Sequence, residues 1–82
     1  MEVLALKELL ITIAAGLVDE PEKVTVDVDD INDEGVIVYH LHVAADDMGR
    51  VIGKQGRIAK AIRTVMRATA NRSDQKIMVE ID

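Results

Sequence analysis

Two glycines three residues apart, Gly53 and Gly56, enclose Lys54 and Gln55 within the stretch Gly49 to Arg63, G-R-V-I-G-K-Q-G-R-I-A-K-A-I-R. A residue without a Cβ takes unusual backbone angles and lets another backbone come close. Such a turn at the start of a helix therefore offers bare N–H groups to a phosphate. Lys54 adds charge there, and Gln55 adds a hydrogen-bonding amide. Arg50, Arg57 and Lys60 give the turn a basic rim, while Val51, Ile52 and Ile58 flank it with apolar surface. The chemistry this favours is contact with a sugar-phosphate backbone.

Bond-making chemistry finds less support. A Walker-type phosphate loop would require glycine at position 48 and Ser or Thr at position 55, where the chain has Met48 and Gln55. His40 and His42 share one face of a strand pattern, but with no Cys and no third ligand fixed by spacing they read as solvated strand histidines, not a metal site. The segment Asp30 to Gly35, D-I-N-D-E-G, starts like a calcium loop and then places Leu41 where the bidentate glutamate belongs, so it reads as a hairpin turn. Neither histidine has a spaced Ser or carboxylate suggesting a triad. We expect no enzyme, no cofactor and no metal.

The charge balance is informative once the chain is divided. The net charge is -5 over 82 residues. Residues 1 to 49 hold two basic and twelve acidic side chains, whereas residues 50 to 82 hold eight basic and three acidic ones. Seven Lys or Arg and no acid lie between Arg50 and Arg72, so an anionic partner would meet this part of the molecule. No run approaches the roughly 20 apolar residues that span a bilayer, and the N-terminus lacks the basic region of a signal peptide. The absence of Cys fits a reducing compartment. The expectation is one soluble, cytoplasmic domain over 1–82.

The elements that must position the turn follow from periodicity. Residues 2 to 18 predict a helix with Leu6, Leu10, Ile13 and Leu17 in one stripe and Leu4, Ile11 and Val18 in a second, the latter open to a protein partner. Pro21 ends that helix. Val24, Val26 and Val28 alternate with polar residues as a first strand, and Ile37, Tyr39, Leu41 and Val43 define the inner face of a second. Asp46 and Asp47 can cap a short helix running to Ile52. After the glycines a longer helix runs to about Asn71, with Ile58, Ile62, Val65, Met66 and Thr69 on one side and Arg57, Lys60, Arg63 and Arg67 on the other. Ile77, Val79 and Ile81 face inward on a last strand, which a helical crossover would leave parallel to the strand before it.

The string V-I-G-K-Q-G-R-I resembles the signature of the KH RNA-binding domain. The whole order is similar to the type II, bacterial KH arrangement and in particular to the KhpA family of small stand-alone RNA-binding domains. The resemblance implies an α+β fold, a type II KH domain of order α-β-β-α-α-β, with a three-stranded sheet covered on one face by three helices. It implies single-stranded RNA as partner, held in a groove with Gly53, Lys54, Gln55 and Gly56 as the clamp. Val51, Ile52 and Ile58 would form or support its apolar wall, and Arg50, Arg57 and Lys60 its rim. It also implies a homodimer, or a heterodimer with a second KH-domain protein, and work as a broad-specificity RNA chaperone or post-transcriptional regulator. The alternative is a KH-fold module whose main work is protein association. Tyr39 is the only aromatic residue and belongs to a core face, so no base-stacking platform is expected.

Overall fold

The computed structural model describes residues 2–82, and side chains from Val3 onward. Helix α1 (Glu2–Ala15) stops short of the expected Val18. Its last carbonyls are taken in turn geometry by Gly16 and Leu17, and Pro21 opens a single 3-10 turn. Strand β1 (Thr25–Val28) pairs antiparallel with β2 (Val36–His42), in the register Val26 to Leu41 and Val28 to Tyr39. The turn between them is built by Asn32, whose side-chain oxygen accepts the N–H groups of Glu34 and Val36, with Gly35 at positive φ. It is the hairpin that the sequence suggested.

Helix α2 (Ala45–Arg72) carries the chain back to β3 (Lys76–Ile81), which pairs parallel with β2 in the register Tyr39 to Val79 and Leu41 to Ile81. The sheet order is β1-β2-β3. Residues 53–56 inside α2 are not helical. Its two arms, 45–52 and 57–72, are therefore the second and third helices of the expected α-β-β-α-α-β order. Asp74 at positive φ and the bond from the Gln75 N–H to the Ala70 carbonyl close the end of the longer arm.

Both helices lie on one face of the sheet, with α1 over β1 and against α2, and α2 over β3. Leu6, Leu10 and Ala14 meet Val24, Val26, Tyr39, Leu41 and Val79 from the sheet and Ile62, Met66 and Ala70 from α2. Burial of a side chain such as Leu10, Leu41 or Met66 contributes about 1.5–3 kcal/mol, and this shared core fixes where α2 starts and ends. Two details of the periodicity reading are corrected. Val65 is 44% exposed, because Ala59 and Ala70 face the core in its place. Ile11 and Val18 are partly buried against the core cluster, so the proposed partner stripe on α1 leaves only Leu4 strongly exposed.

Among the described residues no helix covers the other face of the sheet, where Val36, Val38 and the exposed Met78 occupy one end and His40 and His42 the other. His40 Nε2 lies 2.9 Å from Asp29 and its Nδ1 3.4 Å from Glu80, while His42 spans Asp27 at 3.0 Å and Asp82 at 3.6 Å. These partly exposed histidines are also paired, because the register sets acids on or just past both neighbouring strands beside β2. The hydrogen bond to Asp29 raises the His40 pKa above the ordinary histidine value. Partial desolvation opposes this, and the charges of Asp29, Glu80 and Asp82 add to it. The folded state therefore favours the protonated ring. The resulting stability is complete below the unfolded pKa and is lost as pH rises through the folded one. Thermal melts at about pH 5.5 and about pH 8 are expected to show a difference favouring the lower pH that shrinks in His40→Gln. An unchanged difference would assign it elsewhere.

Candidate nucleic-acid interface

The site begins with how the first arm of α2 is seated. Its N-cap, Ala44, has no side chain able to cap. The expected capping role of Asp47 is replaced by a longer-range one. Asp47 is only 2% exposed, and its two oxygens accept the N–H groups of Asp19 and Glu20, each at 3.0 Å. The chain leaving α1 is thereby tied to the arm that leads into the glycine turn. Val51, at 1% exposure, anchors the same arm in the core. It supports the site without lining it, whereas Ile52, at 54%, faces solvent beside the turn.

The turn has an uneven backbone. Gly53 is extended (φ -72°, ψ 175°), a conformation open to any residue, and a Cβ added there would touch nothing within 4 Å. Lys54, Gln55 and Gly56 follow in the left-handed region at φ 50°, 63° and 69°. For Gly56 this costs nothing, but for Lys54 and Gln55 it costs roughly 1–2 kcal/mol each. Strain of this kind persists where the surrounding structure over-determines it, and it clusters at functional sites. It kinks the chain between the two arms and leaves Lys54 and Gln55 exposed.

A cleft of about 560 Å³ opens beside the turn, lined by Gly49, Arg50, Gly53, Lys54, Arg57 and Ile58. The structure thus brings five of the ten sequence-selected residues to one cavity, while Val51, Ile52, Gln55, Gly56 and Lys60 do not line it. Arg50 is not free in it, since its Nη2 donates to Asp19 Oδ2 at 2.9 Å. Ile58 is half-buried and packs on the core, so it forms the floor of the cleft. Gly49 was missed by the motif reading, although its place one helical turn before Gly53 was a usable signal.

A second cleft of about 360 Å³ lies between the longer arm of α2 and β3, lined by Arg63, Arg67, Ile77, Met78, Val79 and Glu80. Arg63, expected on the basic side of the helix, donates its Nε to the Val79 carbonyl at 3.2 Å on the outer edge of the sheet. The stripe Arg57, Lys60, Arg63 and Arg67 therefore runs from the glycine turn to the free edge of β3. Among the described residues no group of His, Asp and Glu is placed to hold a metal ion, and no helix is long and apolar enough to cross a membrane.

The comparisons with known proteins are specific. A family model described as KhpA/KhpB, KH domain, matches residues 7–81. The RNA-binding protein KhpA of Clostridium acetobutylicum is 53% identical over 76 residues, 93% of this chain and 99% of that protein. Its namesake in Listeria monocytogenes is 47% identical over 76 residues, 93% and 97% of the two chains. The one in Chlamydia trachomatis is 42% identical over 76 residues, 93% and 95%. Among solved structures, Aquifex aeolicus Era bound to GDP and aluminium fluoride aligns with a TM-score of 0.67 at 22% identity, over 95% of this chain and 29% of Era. Era in complex with MgGDPNP and nucleotides 1506–1542 of 16S ribosomal RNA aligns with a TM-score of 0.64 at 20% identity, over 93% of this chain and 28% of Era. This chain spans less than a third of the Era chains, and the likeness to them is one of fold.

Proposed function

The chain belongs to the KhpA/KhpB KH-domain family, and from that premise we propose that it binds single-stranded RNA by clamping the sugar-phosphate backbone at the Gly53–Gly56 turn. The observation that carries this is the turn itself. Gly53 has neither a strained angle nor a crowded Cβ to require glycine, so the lack of a side chain serves something that approaches from outside. The cleft beside it presents Arg50, Lys54 and Arg57 to an anion. A relative 53% identical bears the name RNA-binding protein.

In this reading Gly53, Lys54, Gln55 and Gly56 hold the backbone, and Ile52 and Ile58 give the bases an apolar wall that Val51 supports. Arg50, Arg57 and Lys60 neutralise phosphates. The strand continues along the basic side of α2 toward β3, where outward backbone groups of an edge strand can meet base edges. With no aromatic platform, most affinity comes from phosphate contacts, which carry no sequence information. That suits a broad-specificity RNA chaperone or post-transcriptional regulator in the cytoplasm, and no catalytic step is part of it.

The test is the salt dependence of binding. Lys54, Arg57 and Lys60 pair with no carboxylate among the described residues. Three phosphate contacts on a single strand give a slope of log K against log salt of about -2. Fluorescence anisotropy of a labelled single-stranded RNA across a salt series should return that slope. A slope near zero would remove the phosphate clamp.

A further inference from the structure

We propose that Asp19 is a built-in competitor for the RNA backbone at Arg50, its carboxylate occupying the guanidinium until a phosphate displaces it. The inference rests on the RNA-binding reading above. Arg50 lines the 560 Å³ cleft together with Lys54 and Arg57, yet its Nη2 donates to Asp19 Oδ2 at 2.9 Å. Among the described ion pairs, Asp19 is the one acidic residue that holds a cation of this cleft.

The placement does not depend on two flexible side chains finding each other. The Asp19 N–H donates to Asp47 Oδ1, and the next N–H, that of Glu20, to Oδ2. Asp47 is buried and three residues before Arg50 on the same helical arm. One turn of helix thus holds residue 19 twice, by its backbone N–H and by its carboxylate. Glu20 is turned instead to Lys23 at 3.5 Å, so the competition belongs to a single carboxylate.

Carboxylate and phosphate present a guanidinium with the same kind of anionic oxygen acceptors, which is why Arg serves both. The Arg50 and Asp19 side chains are 52% and 71% exposed. A pair this open is weak and screened by salt, which suits displacement over permanent closure. When phosphate arrives, Arg50 exchanges one anion for another and Asp19 takes up a cation from solution, so the contact releases no net counterion. Without the carboxylate no cation is taken up at residue 19, and the cation condensed on the phosphate that Arg50 neutralises is released in full.

The experiment compares wild type, Asp19→Asn, Arg50→Gln, the double variant and Glu22→Gln by anisotropy with a labelled single-stranded RNA across a salt series. Circular dichroism confirms that each is folded. Asp19→Asn keeps its N–H bond to Asp47 and is expected to bind about two- to fivefold tighter than wild type. Its salt slope should be steeper by about 0.7. Glu22→Gln, which removes an exposed acid on the same connection, should match wild type, and the gain from Asp19→Asn should vanish when Arg50 is Gln. Unchanged or weaker binding by Asp19→Asn would overturn the proposal, as would an equal gain in the Arg50→Gln background, where the carboxylate could act only as a distant charge. Both of those outcomes leave wild-type RNA binding intact. A wild type that binds no RNA would instead overturn the functional reading and the competitor with it.

Discussion

Replacing both Gly53 and Gly56 by aspartate is expected to lower affinity for single-stranded RNA about thirtyfold while the protein stays folded. Each added carboxylate faces the position assigned to a phosphate. Two like charges about 4 Å apart repel by roughly 1 kcal/mol even in bulk water and by more near a protein surface. Two such terms, at about 1.4 kcal/mol per tenfold, give about thirtyfold as a lower figure. The fold is spared for reasons that differ at the two positions. Gly53 is extended with open space where the Cβ would stand, so aspartate fits without strain. Gly56 sits at φ +69°, where aspartate is among the better-tolerated residues and costs roughly 1 kcal/mol. A small domain with about 5–15 kcal/mol of stability absorbs that.

Asp47→Ala is expected to produce the largest loss of stability outside the apolar core. The side chain is 2% exposed and accepts two backbone N–H bonds from residues 19 and 20. A hydrogen bond to a charged group contributes about 1.5–3 kcal/mol, and a donor left buried without a partner costs further. Both bonds end on one carboxylate and do not simply add, so the expected loss is about 3 kcal/mol. For a domain of this size that lowers the melting temperature by roughly 12–24 °C. Thermal denaturation followed by circular dichroism reads it directly. A drop under about 4 °C, the equivalent of less than 1 kcal/mol, would show that the connection after α1 is held by other contacts. The variant also frees Asp19 from its fixed place, so its stability and its RNA affinity report on one joint.

Much of this arrangement is legible in the sequence where a period or a fixed spacing carries it. The alternation of Val24, Val26 and Val28, and that of Ile77, Val79 and Ile81, has only one way to face a core, and the structure places both rows inward. The crossover by α2 dictates a parallel β2–β3 pair, which is what forms. The glycine spacing, with its basic neighbours, marks the turn at residues 53–56.

What escapes sequence reading is long-range or individual. Asp19 meets Asp47 and Arg50 across 28 and 31 residues. Acids at such distances leave no periodic trace, so Asp47 reads as an ordinary first-turn carboxylate. Arg63 reads only as one member of a basic side because helical geometry alone does not say that β3 will run beside it. Lys54 and Gln55 give no hint of left-handed backbone, since neither residue type favours it. The turn imposes that conformation through the core-anchored arms on either side. Val65 and Ile11 exchange their expected surroundings because a small core selects some members of an apolar stripe and leaves the rest at its rim.

The measurement that bears most directly on the clamp is the binding isotherm of a labelled single-stranded RNA pool, taken for wild type and for Gly53→Asp/Gly56→Asp side by side at two salt concentrations. Circular dichroism of both proteins completes it. Binding by the wild type that weakens with salt, and binding about thirtyfold weaker by a variant that is equally folded, is the predicted result. Equal binding by the two proteins would contradict the account, since the backbone would then be held by the basic side of α2 without any approach to the glycine turn.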